Sequence, residues 1–78
     1  MKAKTEAELQ VMYDYVSQFY DGIAQVRKGE EWFHIWPDGT PTYEQRYWYV
    51  SPFAKGFAWA WENSTKKFQI RSDGSRVS

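Results

Sequence analysis

His34 is the one histidine of the chain, and cysteine is absent. Disulfides and thiolate-bound metals are therefore excluded. An imidazole could act as a general base, or as a metal ligand beside Glu31 or Asp38. No His-x-x-x-His or comparable ligand spacing surrounds it, so the pattern predicts a hydrogen-bonded surface or cross-strand histidine and no metal site. A nucleophile triad would draw on Ser17 or Ser51 with His34 and an acid, yet neither serine lies in a nucleophile-elbow pattern. Both serines occupy the same place in a repeated segment, which suits a turn hydrogen bond. Glu30, Glu31, Glu44 and Glu62 could form a glycosidase-like carboxylate pair, but such a pair needs a cleft that two small meanders hardly make. Asp38 and Asp73 each precede Gly, where Asp bonds locally to the backbone. There is no Gly-rich phosphate loop. The expectation is a non-enzyme without cofactor.

What stands out is aromatic: five Trp, six Tyr and five Phe, 21% of 78 residues, against the single leucine Leu9. Each buried aromatic removes about 150–250 Å² from water, so these side chains can supply a core that Leu does not. With so little Leu and so much Trp, Tyr, Phe, Val and Ile, strands are favoured over helices. The chain is one small domain, with a lead-in over 1–8 and units over 9–42 and 43–78.

Those units form a tandem repeat. Tyr13–Ala24 aligns with Tyr47–Ala58 at an offset of 34, with seven of twelve positions identical. Phe33–Gly39 aligns with Phe68–Gly74 at an offset of 35, so one residue is inserted between the two blocks. Each unit reads as a three-stranded antiparallel meander. A turn ends at Gly22 or Gly56. Strands then cover 23–28 and 32–36, or 57–62 and 67–71. Asp38-Gly39 or Asp73-Gly74 marks a hairpin into a third strand over 40–46 or 75–78. The Tyr-x-Tyr-Val-Ser-x-Phe segment reads as a turn or short helical bend between units. Leu9, Met12, Tyr13, Val16 and Tyr20 fit a helical stripe, which predicts a short helix or irregular lead-in over 5–15.

The frame from Phe33 to Ala58, with Phe33-His-Ile-x-Pro-Asp-Gly39 and Phe53-x-x-Gly-x-Ala58, resembles the bacterial WG-repeat (Trp-Gly, or KWG) family. The resemblance runs over residues 13–77. Trp32-Phe33 stands where that family has Trp-Gly, and Lys67-Phe68 stands there in the second unit, so the chain resembles a divergent member. The resemblance implies tandem β-meanders serving as an accessory or interaction module, with no catalytic residues to carry over.

Alternation sorts each unit into two faces. Ala24, Val26, Phe33 and Ile35, matched by Ala58, Ala60, Phe68 and Ile70, stay apolar and are assigned to the core. On the other face Gln25, Arg27, His34 and Trp36 are replaced by Trp59, Trp61, Gln69 and Arg71. That face is expected to be partly solvated, which makes Trp36, Trp59 and Trp61, with His34 and Trp48, candidates for an aromatic binding patch. Packing beneath the N-terminal segment or the linker is the plainer role for Trp59 and Trp61, and a staple between units the plainer role for Trp48.

Ten basic and ten acidic residues balance, so overall charge points to neither nucleic acid nor a membrane surface. Lys66, Lys67, Arg71 and Arg76 stand against Asp73 alone in 64–78, beside Phe68 and Ile70. Such a patch can bind single strands, but an edge strand protected by Lys accounts for it equally well. No apolar run reaches the about 20 residues of a membrane helix, and Met1–Glu6 opens no signal peptide; a cytoplasmic protein is expected. Repeat arrays need about three units or capping ends. Two units with a charged lead-in predict either a monomer closed by aromatic linkers or, the favoured reading, self-association into four repeats. The leading function is protein–protein interaction or self-assembly. Carbohydrate or small-ligand stacking on exposed Trp is the runner-up, and a designed or excised repeat fragment without activity stays open.

Overall fold

Thr5 starts the first element. In the computed structural model, which describes residues 3–77, helix α1 spans Glu6–Met12. The Thr5 hydroxyl accepts the Glu8 N–H at 3.2 Å, and the Glu8 carboxylate accepts the Thr5 N–H at 2.9 Å. This capping box satisfies two of the donors that a helix start leaves unpaired. Only Leu9 of the helix is buried. The helix is shorter than the expected 5–15 because Tyr13 adopts extended backbone, with φ −130° and ψ 152°. Its hydroxyl donates to the Gly39 carbonyl at 2.7 Å. Tyr13, Val16 and Tyr20 therefore do not continue the helical stripe.

Six strands follow: β1 Tyr15–Val16, β2 Ala24–Lys28, β3 Glu31–Ile35, β4 Tyr49–Val50, β5 Ala58–Trp61 and β6 Lys67–Ile70. They form two three-stranded antiparallel sheets in the orders β1-β2-β3 and β4-β5-β6. The fold is thus mainly β, a meander in each repeat, as the sequence predicts. Which segments supply the third strand is different. The Tyr-x-Tyr-Val segment, expected to bend between units, is itself the first strand, β1 or β4, paired through Val16↔Val26 and Val50↔Ala60. Residues 40–46 and 75–77 make only single bridges, Ile35↔Pro41 and Ile70↔Arg76; Ser78, the last residue of that expected strand, lies outside the described residues. Pro41 has no N–H to extend the ladder. The chain then leaves the sheet edge to bury Tyr43 and to lay the Arg46 guanidinium over Phe33, 3.9 Å from the ring centre.

The turn before β2 needs left-handed backbone at two successive positions. Asp21 and Gly22 have φ 55° and 75°, and Lys55 and Gly56 have 55° and 86°. These are two-residue hairpin turns closed by the bridges Tyr20↔Ile23 and Ala54↔Phe57. The inserted residue lies in the next turn. Lys28↔Glu31 brackets two residues in the first repeat, while in the second the Asn63 side chain accepts N–H bonds from Thr65 and Lys66 to hold a longer loop.

Each sheet builds its core the same way. Tyr13 meets Phe33 edge-on at 5.6 Å, and Tyr47 meets Phe68 edge-on at 5.8 Å. Arg46 covers Phe33, and Arg76 covers Phe68 at 3.7 Å. Ala24, Val26, Phe33, Ile35, Ala58, Ala60 and Ile70 are buried as assigned, and Phe68 is partly buried under Arg76. The bridge Trp32↔Tyr47 ties the repeats together, with β3 packed against β4. None of the helices is long and apolar enough to cross a membrane among the described residues.

Candidate functional site

Period-two alternation puts Gln25, Arg27, Trp32 and His34 on the face of the first sheet opposite its core, with Gln25↔His34 and Arg27↔Trp32 directly paired. The second repeat covers this face. The Gln25 side-chain amide donates to the Val50 carbonyl at 2.8 Å. His34 Nε2 lies 2.8 Å from the Ser51 carbonyl, and Nδ1 lies 2.6 Å from the Tyr43 hydroxyl. A carbonyl can only accept, so Nε2 carries the proton and Nδ1 accepts from Tyr43. Phe53 stands edge-on to the imidazole at 4.4 Å, and Tyr49 meets Trp32 at 4.9 Å. His34 is 0% exposed. Burial pushes its pKa down to about 4, against the opposing pull of the Ser51 carbonyl. Of the expected surface or cross-strand histidine, the cross-strand alternative holds: His34 is paired with Gln25, interior, neutral and fully hydrogen-bonded, and it cannot belong to an exposed patch. The reason is tertiary: the segment 43–53 folds back over a face that a single meander would leave open.

The serines extend the sheets. Ser17 Oγ accepts the Gln25 N–H at 2.9 Å, and Ser51 Oγ accepts the Trp59 N–H at 2.8 Å, each just beyond the first strand. Asp38 and Asp73 hold their turns through Thr40 and Ser75, both N–H and hydroxyl donating to one carboxylate oxygen. No three His, Asp or Glu side chains converge as a metal site among the described residues.

The same alternation in the second sheet turns Trp59, Trp61, Lys67 and Gln69 outward, paired as Trp59↔Gln69 and Trp61↔Lys67. Here no further repeat lies over them. Trp59 is 40% exposed and Trp61 half-buried. The Lys67 ammonium sits over both indoles, 4.7 Å and 4.8 Å from the ring centres, and joins them into one patch. Of the five sequence candidates, only Trp59 and Trp61 are brought together in this way. Trp36 is exposed at the start of the turn where its N–H donates to Thr40, in the first repeat. Trp48 is exposed beside β5, its N–H donating to the Trp61 carbonyl. Lys67 and Gln69 were not among the candidates. Their signal was the 35-residue offset, which sets them opposite Trp32 and His34.

The fold and this face define a tandem β-repeat protein whose units stack, the back of one sheet against the front of the next repeat. Residues 9–32 match the family model described as WG containing repeat, which supports assigning the chain to the WG-repeat family. That match covers the first repeat through Trp32, and the second repeat follows from the shared register. Comparison with curated proteins and with solved structures gave no match.

Proposed function

We propose that this chain is a non-catalytic repeat module that binds protein through the outward face of its second sheet, Trp59, Trp61, Lys67 and Gln69. One observation carries the reading. Of the equivalent residues of the first sheet, Gln25 and His34 are hydrogen-bonded to the backbone carbonyls of Val50 and Ser51 and Trp32 lies against Tyr49, while Arg27 bonds Gly29 of its own turn. A face with the same backbone geometry and two indoles is suited to the same kind of cover. Trp is frequent at the energetic centres of interfaces, and Lys67 adds a cation beside them. The ammonium over both rings occupies faces on which a sugar would stack, which favours protein over carbohydrate.

Site-specific photo-crosslinking tests this. A crosslinking residue replacing Gln69 should yield discrete protein adducts in the cell of origin, reduced by Trp59→Ala in the same chain. The same residue at Glu30, in an exposed turn of the first repeat, should not. Equal labelling at the two positions would sink the proposal. Trp fluorescence should stay unchanged across a panel of oligosaccharides.

A further inference from the structure

We infer that the partner of this face is a second copy of the chain, docked head to tail, so that the outward face of one copy's second sheet meets the front of the next copy's first repeat. The inference rests on the protein-binding reading above and names its occupant.

The repeat–repeat interface inside the chain is the template. Its front side consists of Tyr43, Val50, Ser51 and Phe53, which receive Gln25 and His34. One repeat earlier, Leu9, Val16, Ser17 and Phe19 occupy the same positions. These four line a cavity of about 370 Å³. Exposure follows the stacking. Phe53 is 2% exposed and Val50 0%, whereas their equivalents Phe19 and Val16 are 38% exposed and half-buried. Gln25 and His34 are 5% and 0% exposed, whereas Trp59 is 40% exposed and Gln69 half-buried. Leu9 stays buried against Gly39 of its own repeat, and the residues that do lose their cover belong to one interface, split between the two ends of the molecule.

The substitutions at the two ends compensate. Leu9, at the place of Tyr43, brings no hydroxyl toward the incoming face, and the residue it would meet is Gln69, at the place of His34, which has no ring nitrogen for that hydroxyl to bond. Gln69, at the place of His34, keeps an amide donor for the Ser17 carbonyl, as His34 donates to Ser51. Lys67, at the place of Trp32, would lie against Tyr15 as Trp32 lies against Tyr49, a cation in place of an edge-on ring. Charge agrees as well. Residues 3–21 contain Glu6, Glu8, Asp14 and Asp21 against Lys4, while 64–77 contain Lys66, Lys67, Arg71 and Arg76 against Asp73, with Arg76 paired to Glu62. At the turn, Asp21 accepts the Gly56 N–H at 3.4 Å, and in the next step of the stack Lys55 takes the place of Asp21 beside the following copy's own Asp21. Two different surfaces meeting this way do not close a dimer, so the assembly is open-ended.

The test uses two surface variants of the full chain. Phe19→Glu blocks the front and leaves the back; Trp59→Glu blocks the back and leaves the front. In sedimentation velocity the unmodified chain should grow in mass with concentration, past twice the 9.3 kDa protomer. Each variant alone should remain at protomer mass, its self-affinity reduced roughly tenfold or more. Mixed, the two should form a complex of twice the protomer mass and no larger, because each supplies the face the other lacks. In a dilution series of the unmodified chain, amide shifts should move at both ends, around Ser17 and around Gln69, and this readout does not depend on how the variants fold. A mixture that stays at protomer mass, or a single variant that still dimerises, would overturn head-to-tail docking. If that happens while crosslinks at Gln69 persist to other proteins, the protein-binding reading stands and only the identity of the partner falls.

Discussion

Neighbours hold His34 in one protonation state. In the unfolded chain an imidazole titrates near 6.5; in the fold burial lowers this to about 4. Between these values the unfolded chain binds a proton that the folded chain does not. Stability is therefore full above about pH 6.5 and falls as pH drops toward about 4, by roughly 3 kcal/mol in all. Glu8, Asp38 and Asp73 are also held low, by hydrogen bonds from Thr5, Thr40 and Ser75, and what they contribute is present above the ordinary carboxylate range and lost as pH falls through it. His34→Gln should flatten the dependence between neutrality and about pH 4, because an amide can donate to Ser51 without titrating. Gln69 already occupies the equivalent place in the second repeat. Urea midpoints of both proteins at the two pH values check this, and parallel slopes would show that another group controls acid stability.

At the scale of elements, the Asp-Gly turns fix where each sheet ends and where the chain enters the interface. Gly74 has φ +87°, and a Cβ there would lie 2.6 Å from the Tyr43 Cβ. Gly74→Ala therefore combines left-handed strain with a collision against the residue that bonds His34. The expected cost is about 3 kcal/mol, read by thermal unfolding. At the equivalent Gly39 the nearest atoms are side-chain carbons, Leu9 Cδ2 at 3.2 Å among them, which can shift. Gly39→Ala should be milder, and the reverse order would contradict the proposed role of Tyr43. The element periodicity was legible here: β2 and β3 of the first sheet and β5 and β6 of the second fall where alternation places them. The β1 and β4 strands were not, because a two-residue strand has no periodicity of its own and is defined by its partner.

At the scale of the molecule, the repeats stabilise each other through one interface, and identical residues have different roles on either side of it. Phe53 packs on His34, and Phe19 lines an open cavity. Phe53→Ala should cost about 3–5 kcal/mol, a large part of the stability of a domain this small. Phe19→Ala should cost less than about 1 kcal/mol under dilute conditions. Thermal melts at low concentration separate the two. Equal costs would mean that the stacking of one repeat on the other does not hold the chain together.

The sequence by itself determined the repeat, its register and its inner face. The repeat shows as identities at a fixed offset, and the inner face as apolar residues kept in both units, since burial demands the same chemistry twice. Only the tertiary structure decided which outer face is covered. Gln25 and His34 look as solvated as any polar pair until Val50 and Ser51 present carbonyls to them. Conversely, Trp59 and Trp61 could equally be packed beneath the N-terminal segment or the linker until the structure leaves Trp59 exposed and Trp61 half-buried, with no chain segment laid over them among the described residues. Alternation assigns a side chain to a face; what lies on that face is set by chain segments distant in sequence, through contacts that no local pattern encodes.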